Sequence, residues 1–217
     1  GFIFTFFSSF GQSFFLGLFN SSIRETLSIT HGQFGSIYAS ATLLSSFILV
    51  WIGKKIDDMN ILKFAFYVII LLAISCFLFS KISSIIFLFF SIFLMRLSGQ
   101  GLMSHTATTT ISRYFEKSRG KALSIIWLGL SLAEFILPLL IVFLLTMIEW
   151  QNIWFSISII TILLLPILSF LLVKNINLDS RESLNIDQLE TKEIKQWKRI
   201  EVLKDYRFYI VCLNMLA

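Results

Sequence analysis

The sequence predicts an all-α membrane protein built as a six-transmembrane-helix bundle. Three observations carry this. The 217 residues are 56% hydrophobic and only 14% charged, with a mean hydropathy of +0.83, which is more apolar surface than a soluble domain of this size can bury. Six apolar runs approach the ~20 residues that a ~30 Å hydrocarbon core demands. No strand-like alternation of a barrel runs through them, and in lipid only helices and closed barrels satisfy their own backbone.

The runs are 2–19, 34–52, 64–79, 84–111, 122–148 and 153–173. The first lacks the basic leader and small-residue cleavage site of a signal peptide. The third is short unless Leu62 and a snorkelling Lys63 extend it. The fourth and fifth are long enough to tilt or to project beyond the bilayer. Spans three and six are the most uniformly apolar, which places them outermost, against lipid. Gly1 stands without Met, and 208–217 opens a fresh apolar run, so the expectation is a piece of a longer protein. Residues 1–173 then form the bundle, 174–205 a cytoplasmic linker and 206–217 the start of a seventh helix. The linker carries seven acidic and seven basic residues, so it is nearly neutral. Ile186, Leu189, Ile194 and Trp197 suit a short amphipathic surface helix, and a plain solvated linker fits equally.

Charge sets the orientation. Of the Lys and Arg outside the spans, 15 fall in loop 2–3, loop 4–5 and the segment after span six, against Arg24 and Lys81 on the other side. The positive-inside rule makes the first side cytoplasmic and places the N-terminus there, in a multi-pass cell (inner or plasma) membrane protein. Trp51 and Trp150 stand at span ends, where aromatic belts are expected. The net charge of +5 does not point to nucleic acid, because the basic residues are confined to a few loops. Cys76 and Cys212 lie in separate apolar runs, and no metal-type spacing is present, so neither disulfide, metal nor cofactor is expected.

Two charges interrupt the apolar runs. Arg96 in span four lies ~18 Å from the outer end of its helix, at 1.5 Å per residue, and Glu134 in span five falls at matching depth. A charge there costs at least ~2.5–3.5 kcal/mol on insertion scales, and such residues face a bundle interior or a water-filled path and find partners. A guanidinium suits a carboxylate, which it holds with two parallel hydrogen bonds; alternatively it ties spans together through carbonyls or Glu134. A carboxyl held between desolvation, which favours its neutral form, and a nearby guanidinium, which favours the ion, can gain and lose a proton. Pro138 deprives the carbonyl of Glu134 of its helical donor, so a kink is expected beside the carboxyl. His105 falls about opposite Arg96 on an ideal helix and reads as a hydrogen-bonded packing residue.

Polar residues recur at helical spacing. Thr5, Ser8, Ser9 and Gln12 mark one face of span one; Tyr38, Thr42 and Ser45 one of span two; Arg96, Gln100, Ser104 and Thr108 one of span four; Trp127, Ser131, Glu134 and Pro138 one of span five. These faces are expected to line a central cavity, although single serines also serve helix packing. Gly11, Gly17, Gly99, Gly101 and Gly129 are expected at close approaches between helices.

Gly53-Lys54-Lys55-Ile56-Asp57 between spans two and three, followed by Asp58 where a basic residue is usual and Asn60 where Gly is usual, is similar to a cytoplasmic signature of the major facilitator superfamily. Arg96-Leu97-Ser98-Gly99-Gln100-Gly101 resembles that family's span-four motif, and Arg113-Tyr114-Phe115 with Arg119-Gly120-Lys121-Ala122 its entry to span five. Ser9-Phe10-Gly11-Gln12 is similar to span one of a subset of these proteins. Of the span-five signature of drug antiporters only Gly129 and a displaced Pro138 remain. The resemblance covers the chain. It implies the N-terminal half of a twelve-helix transporter, two inverted repeats of three helices, with a second half of the same chain as its partner.

A membrane enzyme would need a nucleophile with its base or a metal cluster, and the only histidines, His31 and His105, lie on opposite sides of the membrane. No filter-like re-entrant loop suggests a channel. A receptor that binds without transport stays open, as does an exporter or antiporter of another solute. The favoured expectation is a proton- or ion-coupled carrier of a small organic anion such as a monocarboxylate. Arg96, Gln12, Tyr38 and Gln100 are its substrate residues and Glu134 its proton-coupling group. Gly53, Asp57, Gly99, Gly101 and Pro138 serve conformational change. In the expected cycle, protonation of Glu134 frees Arg96 for a substrate carboxylate.

Overall fold

The computed structural model describes residues 1–115, 118–173 and 199–210. All regular structure among them is helical: α1 (Phe2–Ser8), a 3-10 turn (Ser9–Gly11), α2 (Ser13–Gly17), α3 (Asn20–Leu27), α4 (His31–Asp58), α5 (Ile61–Phe79), α6 (Ile85–Met95), a π-helical segment (Arg96–Met103), α7 (Ser104–Tyr114), α8 (Arg119–Leu145), α9 (Trp150–Val173) and α10 (Arg199–Lys204). Gly1–Val173 and Lys174–Ala217 are separate compact units. In the second unit the described residues include α10; the anticipated amphipathic helix over 186–197 lies outside the described residues.

Among the described residues five helices are long and apolar enough to cross a membrane, and a sixth span is assembled from pieces, α1 and α2 with α3 bent away by 66°. Local chemistry sets the ends. Thr30 closes a capping box on α4: its hydroxyl accepts from the Gln33 amide, and the Gln33 side chain accepts from the Thr30 amide at 2.8 Å. Asn60 and Ser84 cap α5 and α6 through the amides of Leu62 and Phe87. The Asn60 cap starts the third span at Ile61, so Leu62 and Lys63 do extend it.

The packing follows a two-fold pattern. α1 lies along α8, α4 lies along α6 and the π segment, and α5 lies along α9. Exchanging helices one to three with four to six reproduces these pairs, as two inverted repeats require. The core gathers the phenylalanines of span one with α5, α6 and α9. Trp154 is fully buried among Phe15, Phe19 and Phe79, at ring separations of 5.3, 5.1 and 4.5 Å.

Several expectations are corrected. Span three is among the best-buried helices, with Phe64, Val68, Ile69, Leu72, Cys76 and Phe79 in the core, while span two is the least buried. A helix packed on a helix and one packed on lipid present the same apolar composition, so hydropathy does not rank them. Trp150 is not a belt residue: it is buried, packs edge-on to Phe79, and its indole N–H donates to Thr26 at 3.3 Å. A Cβ on Gly17 would meet nothing, so Gly17 is no close approach, whereas Gly11, Gly99 and Gly129 lie against neighbouring backbone. α8 continues as one helix through Pro138, and the discontinuities fall in span one and in the π segment.

Candidate functional site

The site is built where spans one and four cross. Span one gives up its α-helix at Ser9, tightens into a 3-10 turn, and passes through Gln12 in an extended conformation (ψ 155°) before α2 begins. Span four loosens in the opposite sense, into a π segment that starts at Arg96. The glycines explain both. A Cβ on Gly99 would lie 2.6 Å from Gly11 N and 2.7 Å from Gly11 Cα, so two backbones touch at a point where any side chain would separate them. Gly99 and Gly101 also weaken the α-helical preference of the stretch they occupy. Such π segments occur mostly as local bulges, often at functional sites.

Breaking span one frees carbonyls, and Arg96 takes one. Its Nη1 donates to Gly11 O at 3.0 Å and to Ser13 Oγ at 3.2 Å. The Tyr38 ring covers the guanidinium at 5.4 Å, and the Tyr38 hydroxyl donates to the same Ser13 Oγ at 2.8 Å. Arg96 is buried, and its Nε has no hydrogen-bond partner among the described residues. No carboxylate pairs with it there, whereas Arg113 forms an ion pair with Asp57. Beside Arg96 opens a cleft of about 200 Å³ lined by Thr42, Ser45, Ser46, Leu49, Gln100 and Gly101.

Of the residues expected to bind substrate, Arg96 and Gln100 line this cleft, and Tyr38 reaches it through Arg96. Gln12 is half-buried and outside the lining; its contribution is the break in the backbone. Glu134 is not brought to Arg96. The two agree in depth, each eleven residues from the same-side end of its span, Ile85 and Leu145. In azimuth they part: the packed seam of α8 runs through Ile126, Gly129, Ala133, Leu137 and Ile141, and Glu134 is exposed beside it. Trp127 and Ser131 on the same stripe are also exposed, and Pro138 is half-buried.

The span-one stripe is corrected as well. Thr5, Ser8 and Ser9 are fully buried and donate to backbone carbonyls, Thr5 to Phe2 O and across to Ile126 O, Ser8 to Thr5 O, Ser9 to Phe6 O. They are packing residues in lipid-depth helices, where small hydroxyls let backbones approach. The span-two stripe does line the cleft, through Thr42 and Ser45. Ser13 and Ser46 escaped the sequence reading: Ser13 lies beyond the break, out of phase with the stripe before it.

The cytoplasmic signature forms a second cluster. His105 Nε2 lies 3.0 Å from Gly53 O, as a packing residue should. Arg113 pairs with Asp57 and also donates to Ile56 O at 3.4 Å. Two side chains of α7 thus clasp the C-terminal end of α4. Gly53 lies in ordinary contact with the His105 ring, 3.5 Å from a Cβ it lacks, and a Cβ on Gly101 would meet the Leu49 side chain at 3.0 Å.

A polytopic helical bundle with inverted repeats, a broken first span and a buried Arg96 beside a cleft is the architecture of secondary transporters. The chain belongs to the Major Facilitator Superfamily, whose family model matches residues 1–217. Membership makes it a multi-pass membrane protein of the secondary transporters of small solutes, and so points to a transporter rather than an enzyme. No curated protein and no solved structure matches the chain.

Proposed function

We propose that the protein is a proton-coupled carrier of a small organic anion, with Arg96 holding the substrate carboxylate. The observation that carries this is a buried guanidinium, committed on one nitrogen to Gly11 O and Ser13, free on Nε, facing a cleft and without a carboxylate among the described residues. At mid-membrane depth an unneutralised cation is costly, and a substrate anion supplies the missing charge. Tyr38 and Gln100 complete the binding groups. The carrier lies in the cell membrane with its N-terminus cytoplasmic, and residues after 173 link it to a second half that supplies the opposite wall of the site.

Coupling is assigned to Glu134, the other mid-span charge. Glu134 is exposed beside the packed seam of α8 and makes no ion pair with Arg96 among the described residues, which supports a proton that acts on its own helix face. The test is uptake of labelled small carboxylates, amino acids and sugars by cells making the full-length protein, at two pH values. Arg96→Ala should abolish carboxylate uptake, and Glu134→Gln should remove its rise at acidic pH. Uptake of a neutral solute that survives Arg96→Ala refutes the anion site; pH-dependent uptake unchanged in Glu134→Gln refutes the proton role.

A further inference from the structure

We propose that the cleft beside Arg96 selects a hydroxylated carboxylate and that Thr42 reads the hydroxyl group; the proposal rests on the anion-carrier reading above. The guanidinium has two edges to offer. Nη1 is occupied by Gly11 O and Ser13 Oγ, while Nε is buried and unpartnered, and no acceptor meets Nη2 among the described residues. The open edge is therefore Nε with Nη2, two parallel N–H groups that match the two oxygens of one carboxylate.

The wall opposite is not apolar. Thr42, Ser45 and Ser46 follow one another at i, i+3 and i+4 on α4, with Leu49 one turn on. Hydroxyls along this helix normally donate back one turn: Ser36 to Gly32 O at 3.0 Å, Ser40 to Ser36 O at 2.7 Å, Ser46 to Thr42 O at 3.0 Å. Thr42 and Ser45 donate to no such carbonyl, and Thr42 is the more enclosed of the two at its hydroxyl. Its Oγ1 is buried and has no partner. A buried hydroxyl without a partner is unfavourable, and a site that leaves one beside a cleft is complete only when something polar enters. An alkyl carboxylate would satisfy Arg96 and leave Thr42 unpaired. A carboxylate bearing a hydroxyl a few atoms away satisfies both within about 200 Å³. Sites built to hydrogen-bond a substrate hydroxyl reject the analogue that lacks it far more strongly than apolar sites reject an added one.

The experiment reconstitutes the full-length protein in liposomes at neutral pH and compares uptake of labelled glycerate and propanoate, subtracting protein-free liposomes. These acids share a three-carbon chain and differ in hydroxyl groups. Wild type should prefer glycerate by about tenfold or more, the worth of one hydrogen bond in a desolvated site. Thr42→Val should bring the two acids to near parity by lowering glycerate uptake alone, and Thr42→Ser should keep the preference. Equal uptake of both acids by wild type, a preference that survives Thr42→Val, or loss of both acids together in Thr42→Val overturns the proposal while leaving the anion reading intact. Uptake of neither acid by wild type overturns the proposal, and the anion reading falls with it when the wider panel also shows no carboxylate uptake that Arg96→Ala abolishes.

Discussion

Gly99→Ala is the sharpest probe of the crossing on which the site depends. The added Cβ would lie 2.6 Å from Gly11 N and 2.7 Å from Gly11 Cα. Non-bonded carbon contacts settle near ~3.5–4.0 Å, so spans one and four must part by ~1 Å, and no side chain can rotate away because both neighbours are backbone. Overpacking of this kind costs ~1–3 kcal/mol. The Arg96 bonds to Gly11 O (3.0 Å) and Ser13 Oγ (3.2 Å) cross the same seam, and opening it by ~1 Å takes both beyond hydrogen-bonding range. Each bond from a charged group is worth ~1.5–3 kcal/mol, so with both lost the total reaches ~4–9 kcal/mol, a large part of the ~5–15 kcal/mol of a typical fold. The assay is denaturation of the full-length protein in detergent beside Gly17→Ala, whose Cβ meets nothing. Gly99→Ala should be much the less stable of the two. Equal stability would refute backbone contact at the crossing.

Two further outcomes follow from the packing. The Asp57–Arg113 pair is partly exposed, with 58% and 30% of the side chains accessible, so a double-mutant cycle with alanines should give a coupling of no more than ~1 kcal/mol. Transport should change more than stability if the α4–α7 clasp opens during the cycle; a larger coupling would mean the pair is a fixed strut. Trp154→Ala removes a fully buried ring from contact with Phe15, Phe19 and Phe79, at an expected cost of ~3–5 kcal/mol in the same denaturation assay; a loss below ~1 kcal/mol would place Trp154 outside the core.

Much of the fold is legible in the chain. Each apolar run meets a span, although the Thr30 and Asn60 caps start α4 at His31 and α5 at Ile61, three residues ahead of the runs at 34 and 64. The motif order from Gly53-Lys54-Lys55-Ile56-Asp57 to Arg119 leads to the family that the match over residues 1–217 shows. Of the site, Arg96, Gln100 and Tyr38 were legible as rare polar groups at helical spacing in apolar runs. Ser13 was not, because Gln12 takes an extended conformation and resets the helical phase; the side chain after such a break cannot be placed by counting. α8 runs as one helix through Pro138, since a helical proline removes one hydrogen bond while neighbouring helices can hold the turn.

The sequence by itself determined how many spans there are, roughly where they run, and how deep Arg96 and Glu134 lie. These are local properties: a bilayer imposes length and apolarity on each segment independently. Only the tertiary structure decided azimuth, which side of each helix meets a neighbour. Thr5, Ser8 and Ser9 went to a packed seam and Thr42 to the cleft, and Glu134 came out exposed while Arg96 was buried against Gly11. Lipid and protein are equally apolar surroundings, so composition carries no signal that separates a lipid face from a packed one, and the choice falls to shape: where a missing Cβ at Gly11, Gly99 or Gly129 lets two backbones close.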